Sequence, residues 1–348
     1  MKLGIIGLPQ SGKSTIFSAL TGARGEQAPQ GASRSDPRIG TVRVMDHRLD
    51  FLIEMYRPKK RTYAQVEYLL PSATHGSASS KSEGALWNQI RGCDAIIHVT
   101  RNFKVFGGLA PSPEDDFQRL EEDMIINDLV VVEKKIERIA LDMKRGNRED
   151  QSVYPLIKSC LELLEKNLPI RMNPDLVSAP LLRGFTFLSA KPQLLVINNE
   201  DEDESLPGWK SKPEGVDRIL VRGKIEMEIA SMAPEEAEEF LLEYHIQKSA
   251  LDRVIQKSYA LLNLISFFTV GEDEVKAWTI KNDTPAVEAA GAVHSDIQQG
   301  FIRAEILSFD DLKVSGSFQE AKKAGTVRLE GKEYIVKDGD IINFRFNV

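Results

Sequence analysis

Apolar and polar residues alternate along this chain in patterns that predict strands joined by helices. The runs "KLGII", "DAIIHVT" and "PQLLVINN" are typical of buried strands. Between the first two, "KSTIFSALTG" predicts a helix that ends at Gly22. Strands are also expected in "GTVRVM" and "RTYAQVEYLL". This alternation predicts an α/β fold with a parallel, doubly wound sheet.

The pattern changes at Pro113, where a charged stretch with apolar residues near helical spacing begins. A second helical segment, "YPLIKSCLELLEKNL", follows it. The two predict an α-helical hairpin over residues 113–180, which packs against itself. Because another core strand comes later, we interpret the hairpin as an insertion in the doubly wound α/β domain, which residues 1–112 and 181–265 form.

The last eighty or so residues alternate apolar and polar positions, with Gly-Lys and Asp-Gly turns between them. The segments "FFTVGEDEVKAWTI", "GFIRAEILSF", "GTVRLEGKEYIV" and "DIINFRFNV" are the expected strands. They predict a small β-rich domain over residues 266–348.

Composition narrows the class of protein. The 348 residues carry a formal net charge of −7, which argues against a protein that coats nucleic acid or membrane surfaces through its overall charge. Cys93 and Cys160 have no metal-ligand spacing and are expected to be reduced packing residues. No signal peptide or membrane span is apparent, so we expect a cytoplasmic, monomeric protein without a membrane partner.

The segment "GLPQSGKST" matches the phosphate-binding loop G-x-x-x-x-G-K-[ST], directly after a predicted strand and at the start of a helix. Its backbone N–H groups and the helix N-terminus favour phosphate oxygens. Lys13 is expected at the outer phosphates, and the Ser14 hydroxyl on Mg²⁺. The predicted phosphate-binding residues are Gly7, Pro9, Gln10, Ser11, Gly12, Lys13, Ser14 and Thr15.

From end to end the chain resembles the YchF, or Obg-like ATPase, family of P-loop proteins. The resemblance is carried by "GLPQSGKSTIFSALTG", "DAIIHVTRNF", "KPQLLVINNEDED" and most of the chain after Pro234. It implies a P-loop GTPase-like domain, an inserted helical hairpin and a C-terminal TGS domain of β-grasp shape. It also implies ATP rather than GTP as the ligand, and association with the ribosome.

The chain departs from that family in both switch segments. Family members carry a first-switch threonine where this chain has Arg34, and the next threonine is Thr41. The family's second-switch Asp-x-x-Gly aligns with Leu70-Pro71-Ser72-Ala73, so no carboxylate stands there. Because these groups act on the γ-phosphate, we expect nucleotide binding to survive and hydrolysis to be weak or absent.

Two residues are candidates for the group that orients the attacking water. Gln89 occupies the position of a family histidine, in an alignment made uncertain by a shortening, and glutamine orients water in other GTPases. A plain surface glutamine is the alternative. His75 lies inside the altered second switch, where a solvated loop histidine is the alternative.

The base is expected at "VINNEDEDE". GTPases use Asn-Lys-x-Asp here and the resembled family uses Asn-x-x-Glu. Counting from "KP", Asn198 takes the asparagine position, Asn199 that of the GTPase lysine, and Asp201 the acidic one. A one-residue slip makes Glu200 the match instead, and then the asparagine is lost.

Arg222, Gly223 and Lys224 form the third base-contacting element, which is compatible with either purine. The predicted ligand is ATP with Mg²⁺, and GTP is the alternative. For the macromolecular partner, the C-terminal segment from Phe267 onward has ten Lys and Arg against fourteen Asp and Glu. Ribosome or RNA contact through the TGS and helical parts is therefore implied by the resemblance, not by charge. A slow ATPase that cycles on the ribosome and a non-hydrolysing regulatory module both remain open.

Overall fold

The computed structural model describes residues 1–22, 36–72, 80–145, 152–210, 213–243 and 249–347. The chain divides into two compact units, the first of Met1–Thr41 and Glu67–Val254, the second of Val42–Val66 and Ile255–Val348. The C-terminal unit therefore includes a segment from the first fifth of the chain. The four-part domain division by residue number stays a prediction.

Twelve strands lie in the described ranges: β1 (Lys2–Ile6), β2 (Arg38–Arg43), β3 (Lys60–Thr62), β4 (Gln65–Leu70), β5 (Ala95–Asn102), β6 (Gln193–Asn199), β7 (Asp217–Val221), β8 (Leu264–Thr269), β9 (Glu274–Lys281), β10 (Phe301–Ser308), β11 (Arg328–Glu330) and β12 (Asp340–Phe346). The α-helices in the same ranges are α1 (Lys13–Thr21), α2 (His47–Tyr56), α3 (Ser80–Arg91), α4 (Pro113–Lys144), α5 (Tyr154–Leu164), α6 (Pro174–Ser178), α7 (Gly223–Ser231), α8 (Pro234–Glu243), α9 (Ala250–Leu261), α10 (Ala286–Val293), α11 (Ser295–Gln299), α12 (Phe309–Ser315) and α13 (Phe318–Lys323).

The nucleotide-binding sheet has the strand order β2-β4-β1-β5-β6-β7. The pairs β4–β1, β1–β5, β5–β6 and β6–β7 are parallel, which confirms the predicted doubly wound α/β sheet. The central strands β1, β5 and β6 are almost entirely buried. Strands covered by helices on both faces are expected to be mainly apolar, as these are. Parallel strands place their carboxyl ends at one edge, where the loops after β1, β5 and β6 meet.

Helices α4 and α5 form the predicted helical hairpin. They share a core of buried apolar residues, among them Ile125, Val132 and Ile139 of α4 and Ile157 and Cys160 of α5. The period of these residues is helical, so one stripe of each helix is buried. Cys160 and Cys93 are both buried free thiols, as expected for packing residues. None of the helices in the described ranges is long and apolar enough to cross a membrane.

The C-terminal unit contains a mixed sheet of order β11-β10-β12-β8-β9-β3. One face packs against α10, an alanine-rich helix whose Ala286, Ala289 and Ala290 are fully buried with Phe267 of β8. The edge strand β3 pairs with β9, and its Thr62 hydroxyl donates to Glu274 at 2.6 Å. A strand from the N-terminal part of the chain thus completes the C-terminal sheet.

Three strand predictions were too long. The segment "FFTVGEDEVKAWTI" forms parts of two antiparallel strands, β8 and β9, with a break at residues 270–273. The segment "RTYAQVEYLL" is not one strand: β3 and β4 belong to different sheets, with the break at Tyr63 and Ala64. "GTVRLEGKEYIV" is a strand only over β11, because Tyr334 N–H turns back to Gly331 O and ends the ladder. In "RTYAQVEYLL" the alternation continues through the break, so periodicity alone does not reveal it. In "GTVRLEGKEYIV" the strand ends just before the predicted Gly-Lys turn.

His98 on β5 is a fully buried polar residue in the nucleotide-binding sheet. Its ring packs on Phe117 of α4, with centroids 4.9 Å apart. Burial disfavours the charged imidazolium and lowers the pKa of His98 to about 3. The folded protein therefore keeps this histidine neutral at pH values where the unfolded chain protonates it.

From this difference we expect stability to fall in acid. Between the unfolded pKa of about 6.5 and the folded pKa of about 3, the unfolded state binds one more proton, so the free energy of unfolding falls by about 1.4 kcal/mol per pH unit. Urea unfolding of the wild type and of His98→Leu at pH 7, 6, 5 and 4 measures it. The stability difference between the two proteins should shift by that slope below pH 6.5. Parallel pH profiles would contradict a neutral buried His98.

Candidate nucleotide-binding site

The loop between β1 and α1 has the backbone shape of a phosphate cradle. Gly12 caps α1 in the left-handed region with φ of 91°, and because it has no side chain, nothing of its own covers the first N–H groups of the helix. Gln10 is also left-handed, with φ of 63°, a conformation that costs a non-glycine residue about 1 kcal/mol. Such local strain is common where a loop is shaped for a ligand.

Lys13 bends back over this loop. Its Nζ donates to Gly7 O and Leu8 O, each at 2.8 Å. Burial lowers the pKa of Lys13 to about 8, so the side chain is mainly protonated at pH 7 yet poorly solvated. A desolvated ammonium group on a loop of inward N–H groups is an electrostatic site for phosphate oxygens.

The two motif glycines are required by close contacts. A Cβ on Gly7 would lie 2.4 Å from Val99 O and 2.5 Å from Ser11 Oγ, and a Cβ on Gly12 would lie 2.1 Å from Asn198 Nδ2. Ser11 is buried, and its Oγ has no hydrogen-bond partner within the described part of the chain. The loop therefore has an orphaned polar atom and no space for larger residues at its ends, which fits a nucleotide phosphate.

Four other predicted phosphate-loop residues surround this cradle. Pro9 and Gln10 are exposed at its tip, Ser14 is exposed at the first turn of α1, and Thr15 is half-buried behind it. The Ser14 hydroxyl can therefore reach a cation beside the phosphates. No group of three or more His, Cys, Asp or Glu side chains in the described ranges could hold a metal by itself. A magnesium ion here would depend on Ser14 and on the phosphates.

Asn198 at the end of β6 joins two loops of the site. Its Nδ2 donates to Ser11 O at 3.1 Å, and its Oδ1 accepts from Gly223 N at 3.0 Å. Gly223 must be glycine here, since a Cβ would lie 2.8 Å from Asn198 Oδ1. The Asn198 amide therefore positions the phosphate loop and the 222–224 loop relative to each other. Both of its polar atoms are engaged by main chain.

Asn199 is engaged in the same way. Its Nδ2 donates to Asp203 O and Ser205 O at 3.0 and 2.9 Å, and its Oδ1 accepts from Asn102 Nδ2 at 3.0 Å. The acidic loop after β6 is thus folded around this amide. Asn199 shapes the predicted base site, and its polar atoms are already paired.

Arg222 and Lys224 lie over the same acidic loop. Arg222 Nη1 donates to Asp201 O at 3.3 Å and pairs with Glu204 at 2.9 Å. Lys224 Nζ lies 3.3 Å from Asp201 Oδ2. The structure therefore brings together all six predicted base-site residues, and it leaves the Asp201 carboxylate at the accessible surface of the loop.

Phe103 is a residue that sequence reasoning did not select. Its ring lies next to the phosphate loop, with Cε1 3.9 Å from the position of a Cβ on Gly12. The following residue, Lys104, donates its N–H to Glu200 at 2.8 Å, which ties the segment after β5 to the base loop. An aromatic ring between these loops can stack on a purine. Phe103 directly follows a buried strand, at the edge of the sheet where ligands bind, and this position could have identified it from the sequence.

The second-switch position has an apolar side chain. Leu70, which by sequence aligns with the switch carboxylate of the resembled family, is buried at the end of β4. Gln89 of α3 accepts from Ser72 N and donates to Ser72 Oγ, both at 3.2 Å, so its amide holds the chain after β4. Arg34, Ala73 and His75 lie outside the described residues. No catalytic role is tested for Gln89 or His75, and both remain predictions.

Several basic residues of the C-terminal unit, which could otherwise contact RNA phosphates, are paired with acids. The ion pairs are Lys59 with Asp273, Lys60 with Glu274, Lys322 with Glu305, Lys323 with Glu320 and Arg328 with Glu330. Within the described residues, Lys332 and Lys337 form no ion pair. Paired cations leave little net positive field, so these groups supply no strong electrostatic footprint for RNA.

The chain is similar over its whole length to proteins of known family. A protein from Bacillus subtilis (strain 168) named "Ribosome-binding ATPase YchF" is 39% identical, with 99% of this chain and 99% of the relative covered. The chain belongs to the YchF family. A YchF relative of the same name from Escherichia coli O157:H7 is 37% identical, with 100% of this chain and 99% of the relative covered. Residues 264–347 match the family YchF-GTPase_C, described as "Protein of unknown function (DUF933)".

Solved structures agree with the YchF assignment. The structure titled "Structure of the Schizosaccharomyces pombe YchF GTPase" superposes with a TM-score of 0.83 and 28% identity, over 99% of this chain and 97% of that chain. A GTP binding protein from Pyrococcus horikoshii OT3 superposes with a TM-score of 0.59 at 19% identity over the full length of both chains, which supports the fold alone. The predicted P-loop GTPase-like fold with a further C-terminal domain is confirmed, and the TGS assignment stays a prediction.

Proposed function

We propose that this protein is a P-loop switch that binds ATP with Mg²⁺, associates with the ribosome, and hydrolyses ATP slowly or not at all. The observation that carries the proposal is the phosphate cradle, in which Lys13 and the N-terminus of α1 converge under two glycines that no other residue can replace without a clash. Relatives across the full length of the chain bear the name ribosome-binding ATPase, which supports the choice of partner and ligand.

Residues of this chain would bind each part of the ligand. Lys13 and the N–H groups of α1 would hold the phosphates, and Ser14 would hold the magnesium ion, which supplies charge neutralisation when bound. Phe103 would stack on the purine, beside the carboxylate of Asp201. Adenine is the proposed base, and guanine is the alternative because Asp201 matches the acid that GTPases use.

The ribosome is the proposed macromolecular partner, which would place the protein in the cytoplasm. Contact through the C-terminal sheet or the α4–α5 hairpin would depend on shape and local hydrogen bonds, because the C-terminal segment has more acidic than basic residues. A regulatory role then follows from linkage: if ATP changes ribosome affinity, the ribosome changes ATP affinity by the same factor. A slow nucleotide hydrolase that the ribosome activates is the alternative.

Cosedimentation with purified ribosomes tests this proposal. We expect the protein to pellet with ribosomes through a sucrose cushion, and the bound fraction to differ at least fivefold between Mg·ATP and no nucleotide. Lys13→Ala should pellet equally with and without ATP, because it cannot sense the ligand. Absence of the protein from the ribosome pellet in every nucleotide state would contradict the proposed partner.

A further inference from the structure

The acidic loop after β6 contains five consecutive carboxylates, and most of them are engaged within the loop or with its neighbours. Glu200 accepts from Lys104 N at 2.8 Å. Asp203 accepts from Ser205 N and Oγ at 2.9 and 2.6 Å. Glu204 pairs with Arg222 at 2.9 Å. These acids shape the loop, so they are poor candidates for reading a base.

Asp201 is placed differently. Its main-chain oxygen is held by Arg222, which fixes its position, while its side chain is 35% exposed beside Lys224. The Lys224 ammonium lies 3.3 Å from Oδ2, and Oδ1 has no hydrogen-bond partner among the described residues. Oδ1 is therefore free for a ligand, while the ammonium group occupies part of the space around Oδ2.

The difference between the two oxygens of Asp201 affects which purine the site prefers. Guanine presents two adjacent donors, N1–H and the 2-amino group, and a GTPase aspartate accepts both with its two oxygens. On its Watson–Crick edge adenine presents one donor, the 6-amino group, next to the N1 acceptor, so it can give a carboxylate hydrogen bonds from that group alone. One free oxygen is enough for the adenine amino group, while the second donor of guanine would have to compete with the ammonium group for Oδ2.

Stability does not account for the Lys224–Asp201 pair. Lys224 is 69% exposed, and ion pairs at that exposure contribute 0–1 kcal/mol. Lys224 also lies in the first turn of α7, where a cation opposes the helix dipole. A positive charge at this position is thus neither required by the fold nor favoured by the helix.

We propose that Lys224 is the specificity-determining residue of the base site, which disfavours guanine by engaging one oxygen of Asp201. The proposal rests on the proposed nucleotide-binding function and deepens it. It assigns the preference for adenine to an ion pair between two loops, with Arg222 and Asn198 as the residues that hold those loops in place.

Competition of ATP and GTP against a fluorescent purine nucleotide tests the proposal in the full-length protein with Mg²⁺. The readout is the ratio of the ATP and GTP dissociation constants, because loss of one positive charge near the phosphates weakens both ligands alike and cancels in the ratio. Lys224→Met keeps the apolar stem and removes the charge. We expect its ratio to shift toward GTP by up to about fivefold, equivalent to about 1 kcal/mol, the upper limit for an ion pair at this exposure.

Two further variants make the result specific. The double variant Lys224→Met/Asp201→Asn should lose the gain in GTP affinity, because the asparagine offers guanine a single acceptor. Lys158→Ala, at an exposed position on α5, should leave the ratio unchanged. An unchanged ratio in Lys224→Met, with ATP still bound, would overturn this inference and leave the proposed function intact. Failure of the wild type to bind either nucleotide would instead sink the proposed function.

Discussion

Replacing Lys13 by alanine is expected to weaken Mg·ATP binding at least a hundredfold. The Lys13 ammonium is buried over the phosphate loop, where its pKa of about 8 reports how much solvation it has lost. Interaction with phosphate oxygens replaces that solvation at short range in a poorly screened site. A hundredfold loss corresponds to about 2.8 kcal/mol, within the range expected for charged hydrogen bonds.

Isothermal titration calorimetry of ATP into the wild type and the variant measures this loss. Lys158→Ala is the matched control, since it removes the same charge from an exposed part of the same compact unit. A thermal unfolding curve of the Lys13→Ala protein is the control that tests whether the variant is folded. If the folded variant binds ATP within threefold of the wild type, the phosphate loop is not the nucleotide site.

Steady-state ATP hydrolysis by the protein alone is expected at about 0.1 s⁻¹ or less, at least a hundredfold below the enzyme median of about 10 s⁻¹. Lys13 and Ser14 hold phosphate and magnesium in the ground state and the transition state alike, so they give affinity without much rate. Leu70 supplies no polar group where the resembled family has its switch carboxylate. One lost electrostatic contact of that kind costs about 10²–10³ in rate.

Replacing Leu70 by aspartate together with Ala73 by glycine should raise the rate about tenfold or more. Leu70→Asn with Ala73→Gly is the control, because asparagine has the same shape as aspartate without its charge. Leu70 is buried, so each variant needs a thermal unfolding curve before its rate is compared. Equal rates for the aspartate and asparagine variants would show that the missing charge does not limit hydrolysis.

The phosphate loop could be predicted from the sequence because its information is local. The glycines, Lys13 and Ser14 lie within eight residues, and the strand before them and the helix after them follow from short apolar patterns. The parallel, doubly wound character of the sheet also follows from alternating strands and helices. Residues that are adjacent in the chain are also close in space, so a site made from one short segment can be predicted from sequence.

The base site shows what sequence could not supply. Asn198 and Asn199 lie at the end of β6, where the base is predicted to bind, but their amides are engaged by groups such as Ser11 O, Gly223 N and Asp203 O, which no spacing reveals. The Lys224–Asp201 pair joins residues 23 positions apart. Likewise, β3 joins a sheet made almost entirely from the last quarter of the chain. Each depends on tertiary contacts that override local pattern.

The most direct test of the account is one wild-type preparation assayed twice with Mg·ATP, by calorimetric titration and by steady-state phosphate release. Saturable ATP binding with turnover at or below about 0.1 s⁻¹ is the predicted result, because the ground-state contacts are present and the switch carboxylate is replaced by Leu70. Turnover near 10 s⁻¹ by the protein alone, abolished by changing Gln89 or His75, would contradict it and identify another group as the catalyst.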